Sequence, residues 1–299
     1  MWFVYATITL LLWAVADLFY KKGAKEEDKY SHLKTGIMVG LVMGIHAVIY
    51  IITQGVTFQL IDIIKYLPVS FFYIASMIIG YKGLRYIELS ISSPIQNSSG
   101  IVAALLLFIV FKDALGALDI IGIIIIGIGV AALSYLESKK EMGEQKKEKM
   151  GKKVIFLAIF FPLIYCLLDG AGTFLDAIYL DKLELISEDA ALIAYEFTFF
   201  IYGIISFIYL KIKKEKIKIR EEKEKLMAAI FETLGQSTYV YAMAANSTLS
   251  APVVASYSIM SVLLARILLK EKLKAKEYVA IFTVLFGIVL LGISEGLAG

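Results

Sequence analysis

Ten apolar segments alternate along the chain with short polar or charged connections. An α-helix needs about 20 predominantly apolar residues to cross a bilayer, and each segment approaches or reaches that length. The pattern therefore predicts an all-α integral membrane protein with ten transmembrane helices. The segments are Trp2–Tyr20, Leu33–Thr53, Tyr66–Tyr86, Ser92–Phe111, Ile120–Leu136, Val154–Leu175, Ala190–Leu210, Leu226–Ala245, Ala251–Leu269 and Tyr278–Ser294.

The composition excludes an ordinary water-soluble protein. Of the 299 residues, 59% are hydrophobic and 19% are charged, with a mean hydropathy of +0.78. A soluble domain has about 45–50% apolar and about 25% charged residues. The single cysteine, Cys166, excludes a disulfide within the chain.

The basic residues predict the orientation of the helices. Of 30 Lys and Arg, 26 fall in connections after odd-numbered helices and Arg266 ends the ninth helix. Only Lys65, Lys112 and Lys182 fall in connections after even-numbered helices. Because basic loops stay in the cytoplasm, both termini are expected outside the cell membrane. Basic residues segregated in this way favour membrane orientation over nucleic-acid binding.

The two halves of the chain repeat one another. Matching landmarks lie 158 residues apart, except for the pair Trp13-x-x-x-Asp17 and Tyr165-x-x-x-Asp169, which lie 152 apart. The landmarks at the larger spacing are Ser92 with Ser250, Pro94 with Pro252, Tyr81 with Tyr239, Gly129 with Gly287, Lys112-Asp113 with Lys270-Glu271, and Leu115 with Leu273.

Each half holds five helices, so the second half must enter the membrane in the opposite sense. Inverted repeats of this kind are typical of secondary transporters, which bind substrate between the repeats. The predicted division is a first repeat at 1–136, a basic cytoplasmic linker at 137–153 and a second repeat at 154–299.

Two motifs resemble those of the EamA-type transporters of the drug/metabolite transporter superfamily. A serine-rich turn with proline opens the fourth helix of each half (Ser-Ile-Ser-Ser-Pro94; Leu-Ser-Ala-Pro252). A basic-acidic hinge closes that helix before a glycine-rich fifth one (Phe-Lys-Asp-Ala-Leu115; Leu-Lys-Glu-Lys-Leu273). The first hinge has Lys112-Asp113 where the family often has Glu-Arg. The resemblance implies a ten-helix secondary transporter whose central cavity is lined by the first, third and fourth helices of each half, but no particular substrate.

Four carboxylates fall inside apolar segments: Asp17, Asp169, Glu196 and Glu232. A charge at the bilayer centre costs about 2.5–3.5 kcal/mol on insertion scales, so each needs a partner, a proton or a wet cavity. Asp17 and Glu232 are predicted near the inner ends of their helices, and Asp169 near an outer end. Because burial favours the neutral form of a carboxylate, all four are candidates for proton coupling.

Polar and aromatic residues recur on one face of the eighth helix, where Glu232, Gln236 and Tyr239 follow helical spacing. A polar stripe inside a membrane helix faces protein or water. Similar faces occur on the first, fourth, sixth and ninth helices. The predicted substrate-binding residues are Glu232, Asp169, Trp13, Tyr165, Gln236, Tyr239, Gln96, Asn97 and Tyr257.

Carboxylates among aromatic rings favour an amino-containing metabolite or organic cation, which gains charge attraction and cation–π contact. The alternative is a neutral or acidic metabolite, such as an amino acid or sugar, with Lys82 or Arg85 as ligand and the carboxylates reserved for protons. A membrane scaffold or enzyme is a more remote alternative. His46 is either a hydrogen-bonded structural residue or a proton relay, and Gly36, Gly40 and Gly44 form a helix-contact face.

Signatures of enzymes are absent from the sequence: it has no His-Glu-x-x-His, no Gly-x-Ser-x-Gly and no phosphate-binding Gly-Lys-Ser/Thr loop. Two histidines and one cysteine make a metal centre improbable. We therefore expect no enzyme activity, no cofactor, no metal and no nucleic-acid partner. The expected partners are a small-molecule substrate and membrane lipid, for a monomer or homodimer driven by a proton gradient or by exchange.

Overall fold

A computed structural model describes residues 1–25, 28–83, 99–112, 115–141, 152–217, 219–268 and 273–298. All regular structure in these ranges is helical. A π-helical turn, Ile178–Lys182, follows the sixth helix, and a 3-10 turn, Ile219–Glu222, precedes the eighth. The α-helices are α1 Trp2–Gly23, α2 Ser31–Gln54, α3 Leu60–Gly83, α4 Ser99–Phe111, α5 Ala117–Glu141, α6 Lys152–Ala177, α7 Glu188–Ile212, α8 Lys223–Ala255, α9 Tyr257–Leu268 and α10 Ala275–Ala298.

Seven helical stretches in the described ranges are long and apolar enough to cross a membrane. Two shorter apolar helices, Ser99–Phe111 and Ala117–Leu133, accompany them. The predicted all-helical class is therefore confirmed. The predicted linker 137–153 begins and ends in helix, because α5 continues to Glu141 and α6 begins at Lys152.

The predicted end of the eighth helix at Ala245 is confirmed by a kink at the next residue, but the connection that follows is shorter than predicted. Asn246 is the one non-helical residue (φ −168°, ψ 91°) inside α8, which otherwise runs on to Ala255. The Asn246 side chain accepts a hydrogen bond from Leu249 N at 3.1 Å, as an N-cap does. The predicted loop is therefore reduced to a single-residue kink. Pro252 lies inside the helical segment after this kink rather than in its first turn.

The predicted end of the sixth helix at Leu175 is wrong, and this changes the position of Asp169. Helical structure continues through Ala177 and the π turn to Lys182. Asp176 and Asp181 lie in this continuation. Both have hydrogen-bond donors, since Asp176 accepts from Tyr66 and Asp181 from Ser247, and so they are tolerated within the bundle. Asp169 consequently lies well inside the helix.

Helices of the first half pack mainly on helices of the second half. α1 packs on α8 and α3 on α6, while α2 packs on α7 and α5 on α10. Further contacts join α2 to α8, α3 to α7, α4 to α6 and α1 to α9, and α4 also packs on α8, where Gly100 meets Ala251 and Ala255 beyond the kink. Exchanging the first five helices for the last five leaves these pairs unchanged when the segment after Asn246 is counted with α9.

The contact between α2 and α7 depends on glycine. A Cβ atom on Gly40 would lie 2.4 Å from the Phe199 carbonyl oxygen and 3.1 Å from the Gly203 Cα. Gly36 and Gly44 meet Tyr202 and Phe200 of the same helix. The predicted glycine face is thus confirmed as a helix contact.

Ion pairs join the two halves at the end that carries the connections after α1 and α7. Lys25 lies 3.7 Å from Glu222, and its ammonium donates to the Glu221 carbonyl oxygen at 3.1 Å. Glu222 also pairs with Lys225, which is 1% exposed. Nearby, Lys34 pairs with Asp28 at 2.6 Å.

Asp28 keeps its charge in this cluster. Partial burial by itself would raise the pKa of Asp28, but hydrogen bonds from the Lys34 ammonium and the Tyr30 amide hold that pKa below its ordinary value. The Lys25–Glu222 pair holds the end of α1 against the start of α8. These two helices carry several of the polar residues predicted above.

We predict that Gly40→Ala destabilises the protein, because the added methyl must displace the backbone of α7. Overpacking of this kind typically costs about 1–3 kcal/mol. Gly127→Ala is the matched control, since its Cβ would meet only Ile101 at an ordinary 3.6 Å. The thermal unfolding midpoint of purified protein in detergent should fall for Gly40→Ala and change little for Gly127→Ala. Equal midpoints for the two variants would contradict the close α2–α7 contact.

Candidate functional site

A cavity lies between the halves, among α1, α3, α4, α6, α7, α8 and α9. It encloses about 120 Å³ of space that water can reach. That is room for several waters or a small organic molecule. Five of these helices, α1, α4, α6, α8 and α9, carry the polar faces predicted from the sequence.

Most of the predicted site residues surround this one cavity. Glu196 does not line it, and Gln96 and Asn97 lie outside the described residues. The structure shows that the other predicted residues lie around one cavity. Their role in substrate binding stays a prediction. The predicted residues that line the cavity are Trp13, Asp17, Tyr165, Asp169, Glu232, Gln236, Tyr239 and Tyr257.

Two of the carboxylates accept hydrogen bonds from serines of the opposite half. The Ser261 hydroxyl of α9 donates to Asp17 on α1. The Ser99 hydroxyl of α4 donates to Asp169 on α6 at 2.7 Å, and the Ser76 hydroxyl adds a longer contact of 3.3 Å. In each case the first helix of one half meets the fourth helix of the other half.

Glu232 has a different environment. Among the residues whose side chains are described, none donates a hydrogen bond to its carboxylate and no Lys, Arg or His lines the cavity. The Lys82 side chain and Arg85, the ligands of the alternative substrate class, lie outside that set. The Trp13 indole donates instead to the Glu232 backbone oxygen at 3.2 Å. Gly235 makes room for that indole, since a Cβ there would lie 2.3 Å from it. Three carboxylates therefore face the cavity, and Glu232 is the least satisfied of them.

Aromatic rings form much of the cavity wall. The Trp13 ring lies 5.1 Å from the Tyr239 ring and 6.0 Å from the Tyr257 ring, measured between centroids. Tyr73 lies 5.8 Å from Tyr195 in an edge-on arrangement. Such faces attract a cation held within about 6 Å of the ring.

Sequence reasoning missed several residues of this region, among them Tyr73, Tyr195 and Asp176. Tyr73 and Tyr195 line the cavity, and Asp176 lies beyond it, fully buried. The signal for Tyr73 was present, since Tyr66, Ser70 and Tyr73 follow the same helical spacing that identified Glu232. Asp176 was missed because the predicted sixth segment ends at Leu175, one residue before it.

Several hydrogen-bonded tyrosine hydroxyls lie between the cavity and the end of the bundle opposite the ion pairs. The Tyr73 and Tyr239 hydroxyl oxygens lie 2.7 Å apart, and Tyr73 donates to Thr173 at 3.1 Å. Nearer that end, Tyr50 and Tyr241 both donate to Asp189, at 2.7 and 2.6 Å. The cavity is thus separated from this end by a network of hydroxyls and carboxylates.

Glu196 forms a separate site with His46. The His46 Nδ1 atom lies 2.8 Å from the Glu196 carboxylate, across the α2–α7 contact, and the Glu196 side chain is fully buried. His46 is therefore hydrogen-bonded. A hydrogen bond to Glu196 is compatible with a structural role for His46 and also with a role as a proton relay.

Apolar helices around an internal cavity of carboxylates define a polytopic membrane protein. The model of the EamA-like transporter family matches residues 1–135 and 157–293. The chain belongs to this family of membrane transporters, within the drug/metabolite transporter superfamily.

Comparison with solved structures supports the fold. One solved chain, described only as the crystal structure of a protein, has a TM-score of 0.70 and 10% sequence identity. The alignment covers 97% of this chain and 96% of that one. No curated protein sequence matches. The structural match shows the fold alone, so the substrate must be argued from the cavity.

Proposed function

We propose that the protein is a secondary active transporter of a small amino-containing metabolite or organic cation. The observation that carries the proposal is the charge of the cavity. Asp17, Asp169 and Glu232 face one space that no Lys, Arg or His with a described side chain lines. Like charges repel strongly in a medium of low dielectric constant, so a bound cation or proton would relieve their repulsion.

The aromatic wall supports a cation in particular. Each cation–π contact contributes about 0.5–2 kcal/mol, more when water is excluded. Trp13, Tyr239 and Tyr257 present adjoining rings beside the carboxylates. An ammonium group between them would gain charge attraction and ring contact together, which a neutral sugar would not.

The partners of the carboxylates suggest different roles for them. Asp17 and Asp169 already accept hydrogen bonds from serines, whereas Glu232 has no described donor. We assign Glu232 as the main ligand of the substrate ammonium, with Asp169 as the second ligand. These two, with Asp17 and Glu196, are also the proposed proton-coupling residues.

Gln236 adds a requirement on the substrate. It lies one turn beyond Glu232, and its amide nitrogen is buried without a hydrogen-bond partner among the described residues. A buried donor left unpaired costs about 1–3 kcal/mol. A substrate that carries a hydroxyl or carbonyl oxygen near its amino group would satisfy this donor.

We propose alternating access between two inverted five-helix repeats with ten spans. Two features support it: the helix contacts are symmetric on exchange of the halves, and each first helix pairs with the fourth helix of the other half through a serine–carboxylate bond. Rocking of one half against the other would expose the cavity to each side in turn.

We propose that the end with the ion pairs faces the cytoplasm of the cell. The charge bias of the sequence supports this orientation. Both termini then lie outside, where the Met1 amino group pairs with Glu295.

Cysteine labelling tests this orientation in a Cys166→Ser background. We predict that Lys216→Cys, exposed after α7, reacts with an impermeant maleimide only in opened cells. Glu184→Cys, exposed before α7, should react in intact cells. The reverse pattern would overturn the orientation and leave the fold untouched.

A fluorescence titration tests the cavity as the amine site. The chain has two tryptophans, and only Trp13 lines the cavity. In Trp2→Phe, we predict that methylamine, phenethylamine or tetramethylammonium changes the remaining emission in a saturable way. In Trp13→Phe the response should be lost. A response from carboxylic acids and none from amines would favour the alternative substrate class, with Lys82 or Arg85 as ligand.

A charge-removing variant tests Glu232 directly. We predict that Glu232→Gln keeps the fold and weakens amine binding by about 1–3 kcal/mol, the scale of a hydrogen bond to a charged group. Equilibrium binding and transport in liposomes should be measured on the same preparation. Glu184→Gln, exposed on the connection before α7, is the control.

Two other results would revise the role of Glu232. Retained binding and exchange with loss of pH-driven uptake would make it a proton carrier only. Unchanged binding and unchanged pH-driven uptake would make it a structural residue and remove it from the site. No substrate-dependent flux in the unaltered protein would favour a scaffold or an enzyme.

A further inference from the structure

Asp176 is a buried carboxylate that the proposed cavity does not use. It is fully buried on α6, two turns beyond Asp169. One of its oxygens accepts a hydrogen bond from the Tyr66 hydroxyl, and the other has no partner among the described residues. Among the described residues, the titratable groups that face it are four tyrosines: Tyr66 and Tyr73 from α3, Tyr195 from α7 and Tyr239 from α8.

An ionised carboxylate is poorly accommodated in these surroundings. Burial of a charge without a counter-charge is strongly unfavourable, and the hydroxyls of Tyr66 and Tyr239 that face Asp176 offset only part of that cost. A bound metal ion is not supported, because oxygen-bound cations need about six ligands. The described residues contain no group of three or more His, Cys, Asp or Glu that could hold one. A proton is the ligand that fits.

A chain of hydroxyls leads from Asp176 to the cavity. Tyr239 faces Asp176, and its hydroxyl lies 2.7 Å from that of Tyr73. Tyr73 donates to the Thr173 hydroxyl at 3.1 Å, and all three residues of this chain line the cavity with Asp169. Each hydroxyl can accept one proton while it gives up its own, so a proton can move along the chain without net chemical change.

We propose that Asp176 is a proton-binding site that exchanges its proton with the cavity. Its proton passes through Tyr239, Tyr73 and cavity water to Asp169. The O–H bond at Asp176 breaks, an O–H bond at Asp169 forms, and no oxidation or reduction occurs. Neutral Asp169 then releases a bound cation. The transport role of Asp176 rests on the proposed function, whereas its proton binding does not.

Infrared spectroscopy of the purified protein tests the bound proton without any substrate. At pH 7, the unaltered protein should show a carbonyl band of a protonated aspartate that Asp176→Asn lacks. The control is Asp189→Asn, because Asp189 accepts hydrogen bonds from both Tyr50 and Tyr241. That variant should keep the band. Spectra of the unaltered protein and Asp176→Asn that coincide in this region would overturn the proposal.

A second variant covers the case in which Asp176→Asn fails to fold. Tyr66→Phe removes the hydroxyl that donates to Asp176 and keeps the ring. The carbonyl band should then shift in frequency, because its hydrogen bonding changes. A band unmoved by Tyr66→Phe would show that the protonated group is not Asp176.

Transport in liposomes tests the route, with phenethylamine and tetramethylammonium as probes. Asp176→Asn should lose accumulation driven by a pH gradient, down to simple equilibration, and keep exchange of labelled for unlabelled probe. Accumulation equal to that of the unaltered protein would overturn the route. If the unaltered protein moves neither probe, the amine function proposed above fails, and the infrared result still decides whether Asp176 holds a proton.

Discussion

The structure depends on how carboxylates are kept inside a bundle that faces lipid. Each acid in the interior needs a partner whose contribution offsets the cost of removing it from water. Serine hydroxyls do this for Asp17 and Asp169, and an imidazole does it for Glu196. In every one of these cases the donor comes from the other half of the chain. The interactions that make the acids tolerable therefore also hold the halves together.

Glycine sets the distances on which these hydrogen bonds depend. Hydrogen bonds between side chains on neighbouring helices form only if the backbones approach closely, and Gly40 against Gly203 provides this at the α2–α7 contact. At Gly235 the same device brings the Trp13 indole against α8 and fixes one wall of the cavity. Small residues thus determine where the polar side chains can meet.

The fold class and much of the cavity could be predicted from the sequence, because apolar length and helical spacing are local properties. Glu232, Gln236 and Tyr239 share one stripe whatever surrounds them. The predicted helix ends were wrong where a hydrogen bond from a residue distant in sequence determines how far the helix continues. Asp176 and Asp181 are helical because Tyr66 and Ser247 donate to them, and no window of sequence around an aspartate contains that information. The early start of the helical segment after Asn246 is of the same kind, since Asp181 accepts the Ser247 amide there.

The absence of a counterpart to Glu232 in the first half bears on the relative free energies of the two forms of the proposed transport cycle. The repeat spacing of 158 places Ile74 opposite Glu232, so this acid has no equivalent in the first half, unlike Asp17 and Asp169. Two identical halves would give inward-open and outward-open forms of equal free energy, related by a dyad. In the alternating-access cycle proposed above, an unmatched acid such as Glu232 would make these two forms differ in free energy, so the empty protein would favour one of them.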